Sequence, residues 1–181
     1  DVAAPMGRTV EDVALILEAV AGYDSKDPYT SKRSVPQYSA SLGKPVAGIR
    51  IGLIREFMTK KLDPEVLHLV ENAAKKLEGL GAEVAEVSIP MMSLNGPIHL
   101  AVAMPEAASY YAEVLREHAH RLRKTTRTLL HTKWLLPAHA INTALKARAL
   151  LRKQVLDTFE HFDILLSPTP SAPAPMYDDF V

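Results

Sequence analysis

The chain has 181 residues, no cysteine, 48% hydrophobic residues, and 21 Lys plus Arg against 21 Asp plus Glu. That length supports one domain with a core, burying roughly 70% of the unfolded surface. The zero net charge argues against a protein held to nucleic acid or to a membrane surface by long-range attraction, and the missing cysteines exclude a disulfide scaffold, a thiolate metal site and a cysteine nucleophile.

No apolar run approaches the ~20 residues needed to span a bilayer, and the start lacks the basic-then-apolar order of a signal peptide. With the absence of cysteine, this fits a cytoplasmic protein. The chain begins at Asp1 without methionine and reaches a helix start within a few residues, which predicts a piece of a longer polypeptide.

Thr9 is a helix N-cap with Asp12 three residues on, close to a capping box. Val10, Val13, Leu17 and Val20 then line one face, with Ala14 and Ala21 beside them, and Gly22 ends the helix. The stretch Tyr23 to Gly48 holds Pro28, Pro36 and Pro45, several serines and few large aliphatics, and reads as a long surface connection.

Ile49 to Ile89 carries the clearest pattern. Ile49, Ile51, Leu53 and Ile54 make a short strand. Asp63-Pro64 supplies an N-cap followed by proline at the first helical position. Val66, Leu67, Val70, Ala73, Ala74, Leu77 and Leu80 recur at helical spacing, Gly81 stands where a C-cap glycine belongs, and Val84, Val87 and Ile89 form a second strand. Strand, helix and strand with short links predict a βαβ unit with parallel strands. Arg55, Glu56 and Phe57 fall at the carboxyl end of its first strand, where open α/β sheets place sites, although a solvated loop is the simpler reading. Lys60 and Lys61 follow.

After Pro90 the pattern turns helical. Ile98 to Ala103 predicts one turn or two, and Pro105 either starts a new helix or kinks an existing one. Helix is expected over 106–122, with Tyr110 and Tyr111 packed in the core or turned into a cleft. Arg116, Arg121, Arg123, Lys124 and Arg127 read as a solvated face. His118 and His120 lie two apart, so they diverge on a helix, and their arginine neighbours repel a cation; no metal site is expected. A short helix is predicted over 125–136 and a long one from Pro137 to Phe162, its stripe being Ile141, Ala144, Leu145, Ala147, Leu151, Val155, Leu156 and Phe159. Ile164, Leu165 and Leu166 form a last strand, apolar throughout as if covered on both faces. Ser167-Pro168-Thr169-Pro170 ends it, and Asp178-Asp179 reads as solvating charge near the terminus.

No G-x-S-x-G, H-E-x-x-H, glycine-rich phosphate loop or G-x-G-x-x-G occurs. Residue chemistry alone therefore assembles no catalytic centre, and no cofactor is implied.

Several stretches nonetheless fall in a recognisable order. Ala4-Pro5-Met6-Gly7-Arg8-Thr9-Val10-Glu11-Asp12 resembles the G-P-M-A-R-T-V-E-D segment of amidase signature enzymes. Gly22-Tyr23-Asp24, Asp27-Pro28, Ile51-Gly52, Leu62 to Val66, Leu80-Gly81-Ala82, Glu106-Ala107 and Phe162 to Pro170 are similar to later stretches of that family, including its late strand ending in P-T-x-P. Ala4 and Gly7 depart from the usual glycine and alanine, and Ala140-Ile141 occupies the place of a common tyrosine.

The resemblance implies an α/β fold, a mixed sheet flanked by helices. It implies amide hydrolysis by two serines and a lysine that lie upstream of the segment matched by Asp1 to Asp12. Residues 1–181 are then expected to be the carboxyl-terminal portion of a single amidase domain. This portion carries no catalytic residue and supplies pocket walls, with Thr169, Pro170, Tyr110 and Tyr111 as the substrate-contacting candidates. The expected partners are the upstream portion of the same polypeptide, a small-molecule amide and a second copy in a homodimer, with no membrane and no direct nucleic acid. Two other readings stand beside this one: a piece similar to the amidase-type subunit of a tRNA-dependent amidotransferase, and a non-catalytic binding module.

Overall fold

The computed structural model describes residues 4–59 and 61–176; Lys60, Asp178 and Asp179 lie outside them. The chain forms two compact units, Asp1–Pro45 and Val46–Val181.

In the first unit, α1 spans Val10–Val20. Its start is a complete capping box: the Thr9 hydroxyl accepts from the Asp12 N–H at 3.1 Å, and the Asp12 carboxylate accepts from the Thr9 N–H at 3.0 Å. Of the expected apolar face only Ala14 is buried, while Val10 and Val20 are exposed. The following connection is irregular, apart from a short 3₁₀ turn over Ser39–Ser41. It is tied back to α1 by the Glu18 carboxylate, which accepts from the Ser39 N–H at 2.6 Å. Thr30 knots its middle, donating to the Asp24 and Asp27 carbonyls and accepting from the Asp24 N–H.

The second unit is built on the predicted βαβ. Strand β1 spans Arg50–Ile54, helix α2 Pro64–Gly79 and strand β2 Glu83–Val87, with β1 and β2 parallel. The Asp63 carboxylate caps α2 by accepting from the Glu65 N–H at 2.9 Å. Gly81 takes φ +92, which L side chains rarely adopt, so the turn into β2 uses glycine's freedom. Strand β3, Ile164–Leu166, pairs parallel with the other side of β1, giving the order β2-β1-β3. The α/β architecture is the expected one, and the three described strands are all parallel. Ile164 is 46% exposed, so β3 is not covered on both faces in this chain.

The helices between β2 and β3 depart from the expectation. A 3₁₀ turn over Pro90–Leu94 leads into α3, Asn95–Tyr110, a single helix through Ile98 to Ala103 and on past Pro105. Of the two expected alternatives for Pro105, the start of a new helix is excluded and a place within an existing helix is found; it removes one ladder donor, and packing of α3 on its neighbours holds the helix across the gap. Helix α4 is short, Ala112–Glu117, and a 3₁₀ turn over Ala119–Arg121 leads to α5, Lys124–Lys133. Helix α6 spans Ala138–Thr158, entered through Pro137 as predicted but ending short of Phe162. Both α5 and α6 pack on α3. The main core gathers Ile54, Ile89, Ile98 and Leu151, joined by Phe57, Val87, Met91, Val155 and Leu165, so it fastens strand ends, α3 and α6 together. Of the α6 stripe, Ala144 and Leu151 are buried; Leu145, Leu156 and Phe159 are exposed. A smaller cluster of Ala108, Leu115 and Leu130 joins α3, α4 and α5.

Candidate functional site

Because the strands are parallel, their carboxyl ends share one edge, the edge at which open α/β sheets bind ligands. Three segments leave it: Arg55–Phe57 after β1, Ser88-Ile89 after β2, and Ser167 to Ser171 after β3.

The first two are clamped together. The Glu56 carboxylate accepts from the Ser88 hydroxyl at 2.6 Å and from the Ile89 N–H at 2.9 Å. Ser88 in turn accepts from the Arg55 guanidinium at 2.8 Å, and Arg55 lies 3.7 Å from Glu86. The Glu56 side chain is only 11% exposed. Burial pushes its carboxyl upward, but the hydrogen bonds from Ser88 and Ile89, with the charge of Arg55, outweigh burial and hold it below the ordinary value. A carboxylate so satisfied is a weak base, so the Ser88–Glu56 pair is a fastening between strand ends and not an activated nucleophile. Here the solvated-loop expectation is corrected. No local signal in the sequence marks Glu56, since its partners stand 32 and 33 residues later.

The segment after β3 is fixed at both ends. Upstream, the Asp163 carboxylate accepts from the Arg50 backbone N–H at 2.9 Å and from its guanidinium at 2.8 and 3.1 Å, while the Asp163 N–H donates to the Arg50 carbonyl at 2.8 Å. This fork-like pairing holds the Asp163 carboxyl at about 2, below its ordinary 3.8, chiefly through the Arg50 hydrogen bonds. Downstream, the Asp63 N–H donates to the Ser171 carbonyl at 2.8 Å. The start of α2 and the end of the segment are thus one joint.

Between these anchors, residues 167–170 form the shared wall of two clefts. One, of ≈ 440 Å³, is lined by Phe57, Leu62, Asn95 and Ser167 to Ser171. The other is an apolar groove of ≈ 400 Å³ against α2, lined mainly by Val66, Leu69, Val70, Leu166 and Pro173. Thr169 and Pro170 touch both. Tyr110 and Tyr111 are elsewhere, at the end of α3. Their rings meet edge to face at 5.2 Å, Tyr110 being 83% exposed and Tyr111 packed against the Ala108 cluster, and neither lines either cleft.

Among the described residues, the cleft at the sheet edge is lined by three hydroxyls and one carboxamide and by no ionisable side chain. It can orient a polar ligand and cannot by itself activate a nucleophile, which needs a base within hydrogen-bond reach. His118 and His120 stand ring to ring at 6.3 Å, and no three His, Asp or Glu gather as metal ligands among the described residues. No helix among those residues is long and apolar enough to cross a membrane.

An α/β unit with a parallel-sheet edge, a clamped β1–β2 end and a Pro-Thr-Pro wall is the class this geometry defines. The Amidase family model matches residues 1–181, and the chain belongs to that family. It is 36% identical over 170 residues to an amidase of Pseudomonas putida, covering 94% of this chain and 36% of that protein. It is also 36% identical over 202 residues to the A subunit of the glutamyl-tRNA(Gln) amidotransferase of Bdellovibrio bacteriovorus, covering 96% and 41%. The crystal structure of the A subunit of the same amidotransferase from Thermotoga maritima superposes with a TM-score of 0.78 at 25% identity, over 97% of this chain and 38% of that one. A bacterial aryl acylamidase shares the fold with a TM-score of 0.79 at 21% identity, over 93% and 36%. The chain therefore spans about two fifths or less of the length of these relatives.

Proposed function

We propose that this chain is the carboxyl-terminal portion of a carboxamide hydrolase. The overall reaction converts an amide and water to a carboxylate and ammonia or an amine through an acyl-serine intermediate. The chain contributes scaffold and the Thr169–Pro170 wall, and the two serines and the lysine come from the upstream portion of the same polypeptide. The observation that supports this reading is the make-up of the sheet-edge cleft: hydroxyls and a carboxamide at a rigidly anchored wall, with no base among the described residues. Such a wall suits recognition of a neutral, hydrogen-bonding linear amide in a cytoplasmic enzyme.

Membership of a tRNA-dependent amidotransferase is the second choice. The aligned stretch of that relative is 202 residues, longer than the 181 residues here, so it carries segments with no counterpart in this chain; the amidase alignment needs 170. Glutaminase activity that rises on adding a partner protein would favour the amidotransferase reading instead.

The test is Thr169→Val in the protein joined to its upstream portion. Losing the hydroxyl from the wall is expected to lower kcat/KM for small linear amides by roughly 10–100-fold, with Thr169→Ser restoring most of it. Unchanged kcat/KM in Thr169→Val, with the same unfolding midpoint, would remove the wall from the site.

A further inference from the structure

The segment between β2 and α3 borrows partners for its own backbone. Pro90 has no N–H, and the 3₁₀ turn over Pro90–Leu94 leaves the N–H groups of Ile89 and Met91 without a carbonyl of the turn to bond to. Side chains from two distant elements supply the acceptors. Glu56, just after β1, accepts from the Ile89 N–H at 2.9 Å, and Gln154, on α6, accepts from the Met91 N–H at 3.2 Å. The Met92 N–H closes locally, on the Ile89 carbonyl at 2.7 Å.

Both borrowed acceptors act one step from the sheet-edge cleft. Glu56 immediately precedes Phe57, and the turn runs directly into Asn95. Phe57 and Asn95 both line that cleft. Ile89 is 1% exposed and packs with Ile98 and Leu151, and Gln154 lies three residues beyond Leu151 on the same helix. These contacts all fall inside the unit Val46–Val181, so they hold whatever the rest of the polypeptide covers. Asn95, by contrast, makes no hydrogen bond among the described residues, and its carboxamide retains both donor and acceptor.

We propose that Glu56 and Gln154 are positioning residues of the candidate site: by holding the Ile89–Leu94 turn they place Asn95 in the cleft with Phe57, where the Asn95 carboxamide pairs with an amide group of the substrate. The proposal rests on the amidase reading of the cleft and assigns the group that recognises its substrate. A carboxamide matches an amide donor to acceptor and acceptor to donor, with no charge on either side. A displacement of about 1 Å in a group that orients substrate is felt as a large loss of rate.

The experiment is a double-mutant cycle in the protein joined to its upstream portion, read as kcat and KM for a small linear primary amide. Asn95→Ala is expected to lower kcat/KM by about tenfold, the loss of one substrate hydrogen bond. Gln154→Leu keeps the stem against the core and removes the acceptor from Met91; it should lower kcat/KM by about 3–10-fold. Gln154→Glu, which keeps the oxygen, should restore most of it. Gln154→Leu added to Asn95→Ala should cost no more than Asn95→Ala alone, because Gln154 acts through Asn95; a merely structural role gives losses that multiply. Glu56→Gln also loosens the β1–β2 clamp, so Gln154 carries the test. In the 181-residue chain, with no activity involved, the side-chain amide resonances of Asn95 should shift in Gln154→Leu and return in Gln154→Glu. Multiplying losses, an unchanged kcat/KM in Asn95→Ala, or unmoved Asn95 resonances in Gln154→Leu would overturn the proposal and leave the amidase reading standing as long as the joined parent turns over. A joined parent that hydrolyses no amide would overturn that reading and this proposal with it.

Discussion

Gly52 sits in the middle of β1, facing Ala85 of β2 on one side and Leu165 of β3 on the other. A Cβ there would lie 2.9 Å from Leu165 Cδ2, 2.9 Å from Val87 Cγ1 and 3.1 Å from Phe162 Cγ. The leucine methyl can swing away, but the β-branched valine and the aromatic ring cannot move without shifting strand β2 or the entry to β3. Overpacking of this kind costs about 1–3 kcal/mol, and the usual gain from replacing a strand glycine offsets about 0.5–1 kcal/mol of it. Gly52→Ala is therefore expected to be destabilised by roughly 1–2 kcal/mol. In urea denaturation this appears as a midpoint about 0.5–1 M lower, at a slope of about 2 kcal/mol per M. Adding Val87→Ala should recover part of the loss, because the two sites share one volume. A Gly52→Ala chain as stable as the parent would refute the close approach of the three strands.

Further outcomes follow from the anchors and the core. Glu56→Gln removes a charged acceptor from Ser88 and Ile89 and is expected to cost about 1.5–3 kcal/mol by thermal or chemical unfolding; because the carboxyl is held below its ordinary value, the contribution is full above that value and fades as pH falls through the folded one. Asp163→Asn should flatten the stability–pH curve between about 3.8 and 2: the Arg50 pairing acts in full above the ordinary carboxyl value and is lost as pH falls through the depressed one. Ile89→Ala empties the most buried side chain of the main core and should cost about 2–5 kcal/mol, read as a lowered midpoint with little change in slope.

What the sequence discloses are features whose causes lie within a few residues. Thr9 with Asp12, Asp63 with Pro64, Gly81 and Pro137 mark helix ends correctly, because capping and turn geometry are local. Features set by tertiary contact are hidden. Pro105 leaves open in the sequence whether a helix starts there or continues, and α3 runs through it, with Ile98, Val102 and Ala108 buried on either side. The apolar periodicity of α6 predicts one covered face, yet Leu145, Leu156 and Phe159 are open. Periodicity marks a face as apolar and does not say what covers it. Around the candidate site, the end of the last strand at Ser167 to Pro170 was legible in the sequence, whereas Glu56 became visible only when folding brought Ser88 beside it.

In the proposed function this chain forms a wall of an amidase site and the upstream portion supplies its chemistry. The most direct measurement is ammonia release from small linear carboxamides by the 181-residue chain alone and by the same chain joined to its upstream portion. No release above the buffer blank is expected from the chain alone, and turnover is expected from the joined protein. Release by the chain alone that disappears when one of its own serines is replaced by alanine would contradict it.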